Sequence, residues 1–395
     1  MGAKKVKLKE LLIILRNGAN IKQFEDAKGL PITRIETISD ATINSTKVGY
    51  ANIFDDKYQD YYLKEGDILL SHINSIAHLG KCAIYDNPAG RLIHGMNLLM
   101  LRANKESVLP KYLYYVLNSK QFKIQLPKIT KKSVNQASMT VTDIGNLNLI
   151  IEDDINQQQK IVDILDKADE IRQKKKLAND KLDEFLKSTF IDMFGDPVKN
   201  EKKLPIRTIG ECIDINPSKP ALNDNCIVTF LGMKDISEEG KVYLEDEKEY
   251  KDVKTGFTSF INEDVLLAKI TPCFENGKSA IARNLKNGYG FGSTEFHVLR
   301  PKKDILLPEC LYQTIHSSSF IKAGTMKMSG AVGQKRIPKV FIQSYKIAVP
   351  SIEEQNKFAQ IVEKVEAQKQ KNEQVIEQMN NLFNSLSQQA FKGEL

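Results

Sequence analysis

The chain contains no Cys-x-x-Cys pair, although it carries five cysteines in 395 residues. Cys82, Cys212, Cys226, Cys273 and Cys310 are odd in number and scattered, which argues against a disulfide framework or a zinc ribbon and fits a reducing cytoplasm. Long hydrophobic runs are missing too. Leu11 to Leu15 is far too short for a membrane span or a signal segment, and Val6 stands where a myristoylation signal wants Ser or Thr. The expectation is a cytoplasmic protein with no membrane partner. Signatures of DNA-modifying enzymes are also lacking. Asn87-Pro88-Ala89 and Asn216-Pro217-Ser218 want the second proline and the aromatic of an amino-methylation loop, which would hold a flipped base. No G-x-x-x-x-G-K-[ST] phosphate loop occurs, and Gly288 to Gly292 has the wrong glycine spacing and reads as a strand-turn connection. Charge of one sign is only mildly in excess: 57 Lys+Arg against 50 Asp+Glu give +7, which suits a polyanionic partner without requiring one.

What is there is a duplication. Asp67 to Ile84 matches Asp264 to Ile281 without a gap at an offset of 197, with eight identities in eighteen positions. These are Asp67/Asp264, Leu69/Leu266, Leu70/Leu267, Ile73/Ile270, Gly80/Gly277, Lys81/Lys278, Ala83/Ala280 and Ile84/Ile281. The match continues through Leu101-Arg102 with Leu299-Arg300, Pro110 and Tyr114 with Pro308 and Tyr312, and Gln158 with Gln355. A period near 200 is too long for a solenoid, so each copy should be a domain with an appendage. The repeat also argues against a metal at His72, His78, Cys82 and His94, because the first three correspond to Lys269, Glu275 and Ser279. Asp246 and Lys248 sit in an acidic run that reads as a solvated face rather than a nuclease motif.

Within each copy, short apolar runs punctuated by Gly, Asn and Pro predict a mixed α/β (α+β) domain. A long helix follows. Ile161, Ile164, Ala168, Ile171, Ala178, Leu182 and Phe185 recur at alternating three-four spacing, and Phe358, Ile361, Val365, Gln368, Val375, Met379 and Leu382 repeat the pattern. Neither helix can bury such a stripe alone, so the two are expected to pair as an antiparallel coiled coil, with Lys175 and Asn372 as equivalent polar interruptions. The predicted divisions are 1–150 and 205–349 for the domains, 151–195 and 350–395 for the helices, and 196–204 for a linker around Gly195-Asp196-Pro197.

The candidate binding chemistry lies just before each helix. Lys128, Lys131 and Lys132 lead into Ser133, Asn135 and Gln136; the second copy has Lys327, Ser329, Gln334, Lys335 and Arg336. Cations of this kind meet phosphates, and amide and guanidinium groups can make paired contacts to base edges. Comparing Lys131-Lys132-Ser133 with Met328-Ser329-Gly330 suggests that the two copies read different sequences.

Gly66-Asp67-Ile68-Leu69-Leu70, Glu263-Asp264-Val265-Leu266-Leu267, the two Gly-Lys pairs, Gly333-Gln334-Lys335-Arg336-Ile337 and Val349-Pro350-Ser351-Ile352-Glu353-Glu354-Gln355 resemble the type I restriction-modification specificity subunits, over essentially the whole chain. The first junction departs from the pattern: Ile151 to Gln158 lacks the proline and the Glu-Gln pair, which puts its local geometry in question. The resemblance implies two target recognition domains spaced by the helices, double-stranded DNA as ligand, and no cofactor or catalytic residue of the chain's own. It also implies two methyltransferase subunits, which supply S-adenosylmethionine and adenine methylation, and motor-nuclease restriction subunits that cleave with ATP. A stand-alone DNA methyltransferase and a coiled-coil scaffold without DNA are the competing readings.

Overall fold

A computed structural model describes residues 2–38, 42–86, 90–133, 136–331 and 333–390, except for the side chains of 77, 387, 388 and 390. The chain divides into two compact units. One comprises residues up to Lys176 together with those from Glu373 onward, and the other is Leu177–Asn372. Each unit therefore holds one α/β domain and parts of both long helices, α1 (Ile155–Phe194) and α2 (Ile352–Ala390).

The first domain is built on an antiparallel sheet of four strands in the order Leu12–Asn17, Leu98–Ala103, Asp67–Ser71, Cys82–Tyr85. The second repeats it with Ile213–Ile215, Phe296–Pro301, Val265–Ala268, Ser279–Ile281. The run Ile68-Leu69-Leu70 is continuous rather than alternating because its strand is buried on both faces. Ile68 and Leu70 pack with Tyr112 and Leu113, whereas Leu69 packs on the other side with Met100 and Ala83. Val265 and Leu267 against Leu266 divide in the same way. In both domains a second antiparallel pair, Ala3–Lys7 with Asn148–Glu152 and Ile206–Thr208 with Lys346–Ala348, brings the chain back to the start of its helix.

The identities of the repeat fall where the backbone needs a particular side chain. Asp67, fully buried, accepts Arg102 Nε and Nη2 on its two oxygens at 2.7 Å each and also accepts Lys64 N at 2.7 Å. Asp264 holds Arg300 Nε and Nη2 at 2.8 and 2.7 Å and Ile261 N at 2.8 Å. Gly80 and Gly277 have φ of +74° and +73°, a conformation that L side chains rarely adopt. Gln158 accepts Leu109 N, a free donor at the start of the Pro110–Asn118 helix, at 2.8 Å, and donates to Glu152 O and Ser107 O. Gln355 accepts Leu307 N at 2.8 Å and donates to Pro350 O and Ile305 O, both at 2.9 Å. The first junction makes the same kind of contacts without the proline or the Glu-Gln pair, its glutamine reaching back six residues to Glu152 O where Gln355 reaches back five to Pro350 O.

The helix segments run antiparallel within each unit. In the first, Arg172 Nη1 donates to Asn380 Oδ1 and Tyr115 packs edge-on to Phe383. In the second, Lys369 pairs with Asp183 at 2.8 Å, Asn372 Nδ2 donates to Asn179 Oδ1 at 2.7 Å, and Phe358 packs against Phe190 and Phe194. The seam differs from the expected one in part: five of its fourteen positions are exposed, three on α1 and two on α2. Ile161 and Ala168 are buried as expected, but Ile164, Ile171 and Phe185 are exposed, and the inward places go to Leu165, Arg172, Asn179 and Leu186, one residue later. The cause is compositional. Two of those inward positions are polar and bonded across the pair, so hydrophobicity alone selects the neighbouring apolar row. On α2 the second expected row moves likewise, from Ile361 and the exposed Leu382 to Val362 and Phe383.

Candidate nucleic-acid interface

Each basic segment folds into a hairpin mounted on the same framework residue. In the first unit, Lys131–Lys132 pairs with Ala137–Ser138, which pairs in turn with Ile73–Asn74 and gives Ser138 opposite Ile73. In the second, Ser329 pairs with Arg336, and Arg336 pairs with Ile270, the repeat partner of Ile73. The next residue closes the mount in both: Met139 N donates to His72 O at 2.9 Å and Ile337 N to Lys269 O at 2.8 Å.

This geometry fixes a register that the sequence comparison missed by one residue. Ser138 corresponds to Arg336, Ala137 to Lys335 and Lys131 to Ser329, an offset of 198. On the rungs of each hairpin cations face small residues, with the strands exchanged. Lys131 and Lys132 oppose Ser138 and Ala137 in the first. Arg336 opposes Ser329 in the second, with Lys335 beside it.

Lys128 and Lys327 lie on the helices that precede the hairpins, and both are exposed. Lys131, Lys132, Ser133 and Gln136 are exposed, and among the described residues Lys131 and Lys132 make no ion pair. The Ser133 backbone N–H and hydroxyl both donate to Gln136 O, at 2.8 and 2.9 Å, so this serine closes the turn. Asn135 lies outside the described residues, as does the Asn87-Pro88-Ala89 segment. In the second hairpin Lys335 is exposed while its backbone is pinned to Thr271, N to Oγ1 at 3.1 Å and O from Thr271 N at 3.0 Å. Arg336 is exposed but engaged, forming a two-point ion pair with Glu295. Sequence reasoning missed Glu295, which is 41 residues away from its partner. The one usable signal was the change of offset from 197 to 198 between Ile84/Ile281 and Leu101/Leu299.

His72 and His297 are buried at the roots of the hairpins, whereas His94 is buried beside Leu98 and His316 is half-buried beside Ser279. His72, His94 and His316 are each pushed down to about 4 by burial, and burial also lowers His297, whose Nε2 bonds Ile337 O at 3.0 Å. They are neutral structural groups at pH 7. Glycines 288–292 fall on a short helical turn and on strand Tyr289–Gly292, and Asp246 and Lys248 lie on strand Asp246–Glu249.

A duplicated α/β domain with a common framework, a variable exposed hairpin and a following 39- or 40-residue helix defines a tandem recognition protein. The family model for the type I restriction modification DNA specificity domain matches residues 2–180 and again 203–381. The chain belongs to this family. It is 31% identical over 400 residues to a Methanocaldococcus jannaschii protein assigned as the specificity subunit of the type I restriction enzyme MjaX, covering 96% of this chain and 91% of the relative. It is 42% identical over 152 residues to the Escherichia coli EcoAI specificity subunit, covering 38% of this chain and 26% of that one. The crystal structure of a type I S subunit from M. genitalium shares the fold, with a TM-score of 0.53, 12% identity and coverage of 99% and 96%. Among the described residues no helix is long and apolar enough to cross a membrane.

Proposed function

We propose that this chain reads an interrupted, asymmetric duplex target, one half-site per domain, and brings catalytic partner subunits to it without doing chemistry itself. The observation that carries this reading is the paired hairpins: one framework position, two copies, and cations on opposite strands. A common mount with unlike readers implies unlike half-sites. The exposed lysines of the two hairpins would meet phosphates and set the register, and the polar groups of the turns lie within the same segments. Exposed Ile164 and Ile171, one heptad apart on α1, supply apolar surface of the kind that a partner subunit covers. By the family's logic two methyltransferase subunits dock on the helices and supply S-adenosylmethionine and adenine methylation, and motor-nuclease subunits supply ATP-driven cleavage in the cytoplasm.

Replacing Lys131 and Lys132 together by Ala in the full chain tests the hairpin directly. Two lost phosphate contacts should lower the slope of log affinity against log salt by about 2 and reduce affinity for the specific duplex by roughly tenfold or more. Binding titrations at several salt concentrations measure both. An unchanged slope would place the hairpin away from the DNA.

A further inference from the structure

The Arg336 guanidinium is aimed before any ligand arrives. Its Nε donates to Glu295 Oε2 at 2.9 Å and Oε1 at 3.2 Å, Nη2 donates to Glu295 Oε1 at 2.8 Å, and Nη1 donates to Gln334 O at 3.2 Å. A guanidinium has five N–H groups in a planar fork. Three are used here, leaving one on each terminal nitrogen. The support is anchored at both ends. The Arg336 backbone pairs with Ser329, while Glu295 O accepts Lys269 N at 2.9 Å and Glu295 N donates to Ser293 Oγ at 3.2 Å. The side chains remain open, with Arg336 43% exposed and Glu295 27%.

The ion pair is not part of the shared framework. At the corresponding positions the first copy has Ser138 and Asn97, and its hairpin closes on Ile73 all the same. An exposed pair contributes little to stability in any case. What it does accomplish is to hold a planar donor fork at a fixed tilt on the surface of the second hairpin. The remaining two N–H groups, one on each terminal nitrogen, match the paired acceptors that guanine presents in the major groove.

We propose that Arg336 is a specificity-determining residue of the second half-site, reading a guanine by donating its two unused N–H groups to O6 and N7, with Glu295 as the positioning residue that sets the plane of the guanidinium. The inference rests on the reading of the hairpins as DNA contacts. It is tested by selecting bound sequences from a random duplex pool with the full chain assembled with its methyltransferase subunits. The wild type should enrich an interrupted motif with a guanine in one half. Arg336→Lys keeps the charge but lacks the fork, and should weaken the preference at that one position by roughly five- to a hundredfold while every other position is retained. Glu295→Gln should loosen the same position alone and leave the salt slope unchanged. The retained half-site reports that each variant is folded. An unaltered motif from Arg336→Lys overturns the proposal. So does Arg336→Ala if it weakens all sequences equally and lowers the salt slope by about 1, since that marks a phosphate contact. A wild type that enriches no interrupted motif overturns the functional reading itself, and this inference with it.

Discussion

Asp264→Ala should lower the stability of the second unit by about 4 kcal/mol, roughly a quarter or more of what a typical domain has in hand. The carboxylate is buried, and it satisfies two N–H groups of Arg300 and the backbone N–H of Ile261. Removing it leaves a cation that is largely withdrawn from water without a counter-charge, and a backbone donor without an acceptor. For a unit of this size the change corresponds to a drop of about 10 °C in Tm. Scanning calorimetry of the full chain measures it. Adding Arg300→Met to the Asp264→Ala background should recover part of the loss, because the stranded charge is then gone. If Asp264→Ala costs less than about 1 kcal/mol, the pair is incidental and the shared framework is held by apolar packing alone.

Acid should weaken both units as soon as pH falls below about 6.5. His72 and His94 in the first unit and His316 in the second have folded values near 4 because burial disfavours the charged ring, and an unfolded chain returns them to about 6.5. Between those values the unfolded state binds more protons, so stability is fully present above about pH 6.5 and is lost as pH falls towards 4. At pH 5 the gap of roughly 1.5 units amounts to a loss on the order of 2 kcal/mol for each of the three. Tm measured from pH 7.5 to 5 should therefore fall steadily below pH 6.5. Among the described residues the His72 ring has no hydrogen-bond partner at Nδ1, so His72→Leu removes one titration at little structural cost and should make that limb about half as steep in the first unit, where His94 still titrates. A Tm that is level across this range would mean that these rings are hydrated in solution.

Much of the fold was legible because the duplication preserved the residues that the backbone cannot replace. Asp67 and Arg102 are 35 residues apart and their counterparts 36, yet both pairs were visible as identities before their contact was known. Gln158 and Gln355 were likewise recognisable as a repeat, and each proves to close the junction between domain and helix. The seam was half legible. Ile161 and Ala168 stood out as apolar, but their partner row passes through Arg172 and Asn179, whose polar side chains are matched across the pair rather than excluded from it. The basic hairpin segments were legible as composition and not as geometry. One extra residue in the second copy, between Ile281 and Leu299, shifts the hairpins out of the register set by the framework, and nothing local to Arg336 points to Glu295.

If two unlike readers in one chain address two unlike half-sites, the methylated adenines of cells that carry the methyltransferase subunits depend on this chain. Mapped with and without it, they should form an interrupted motif with two different halves at a fixed separation, present only when the chain is present. A continuous or palindromic motif, or methylation that persists without the chain, is the opposite result.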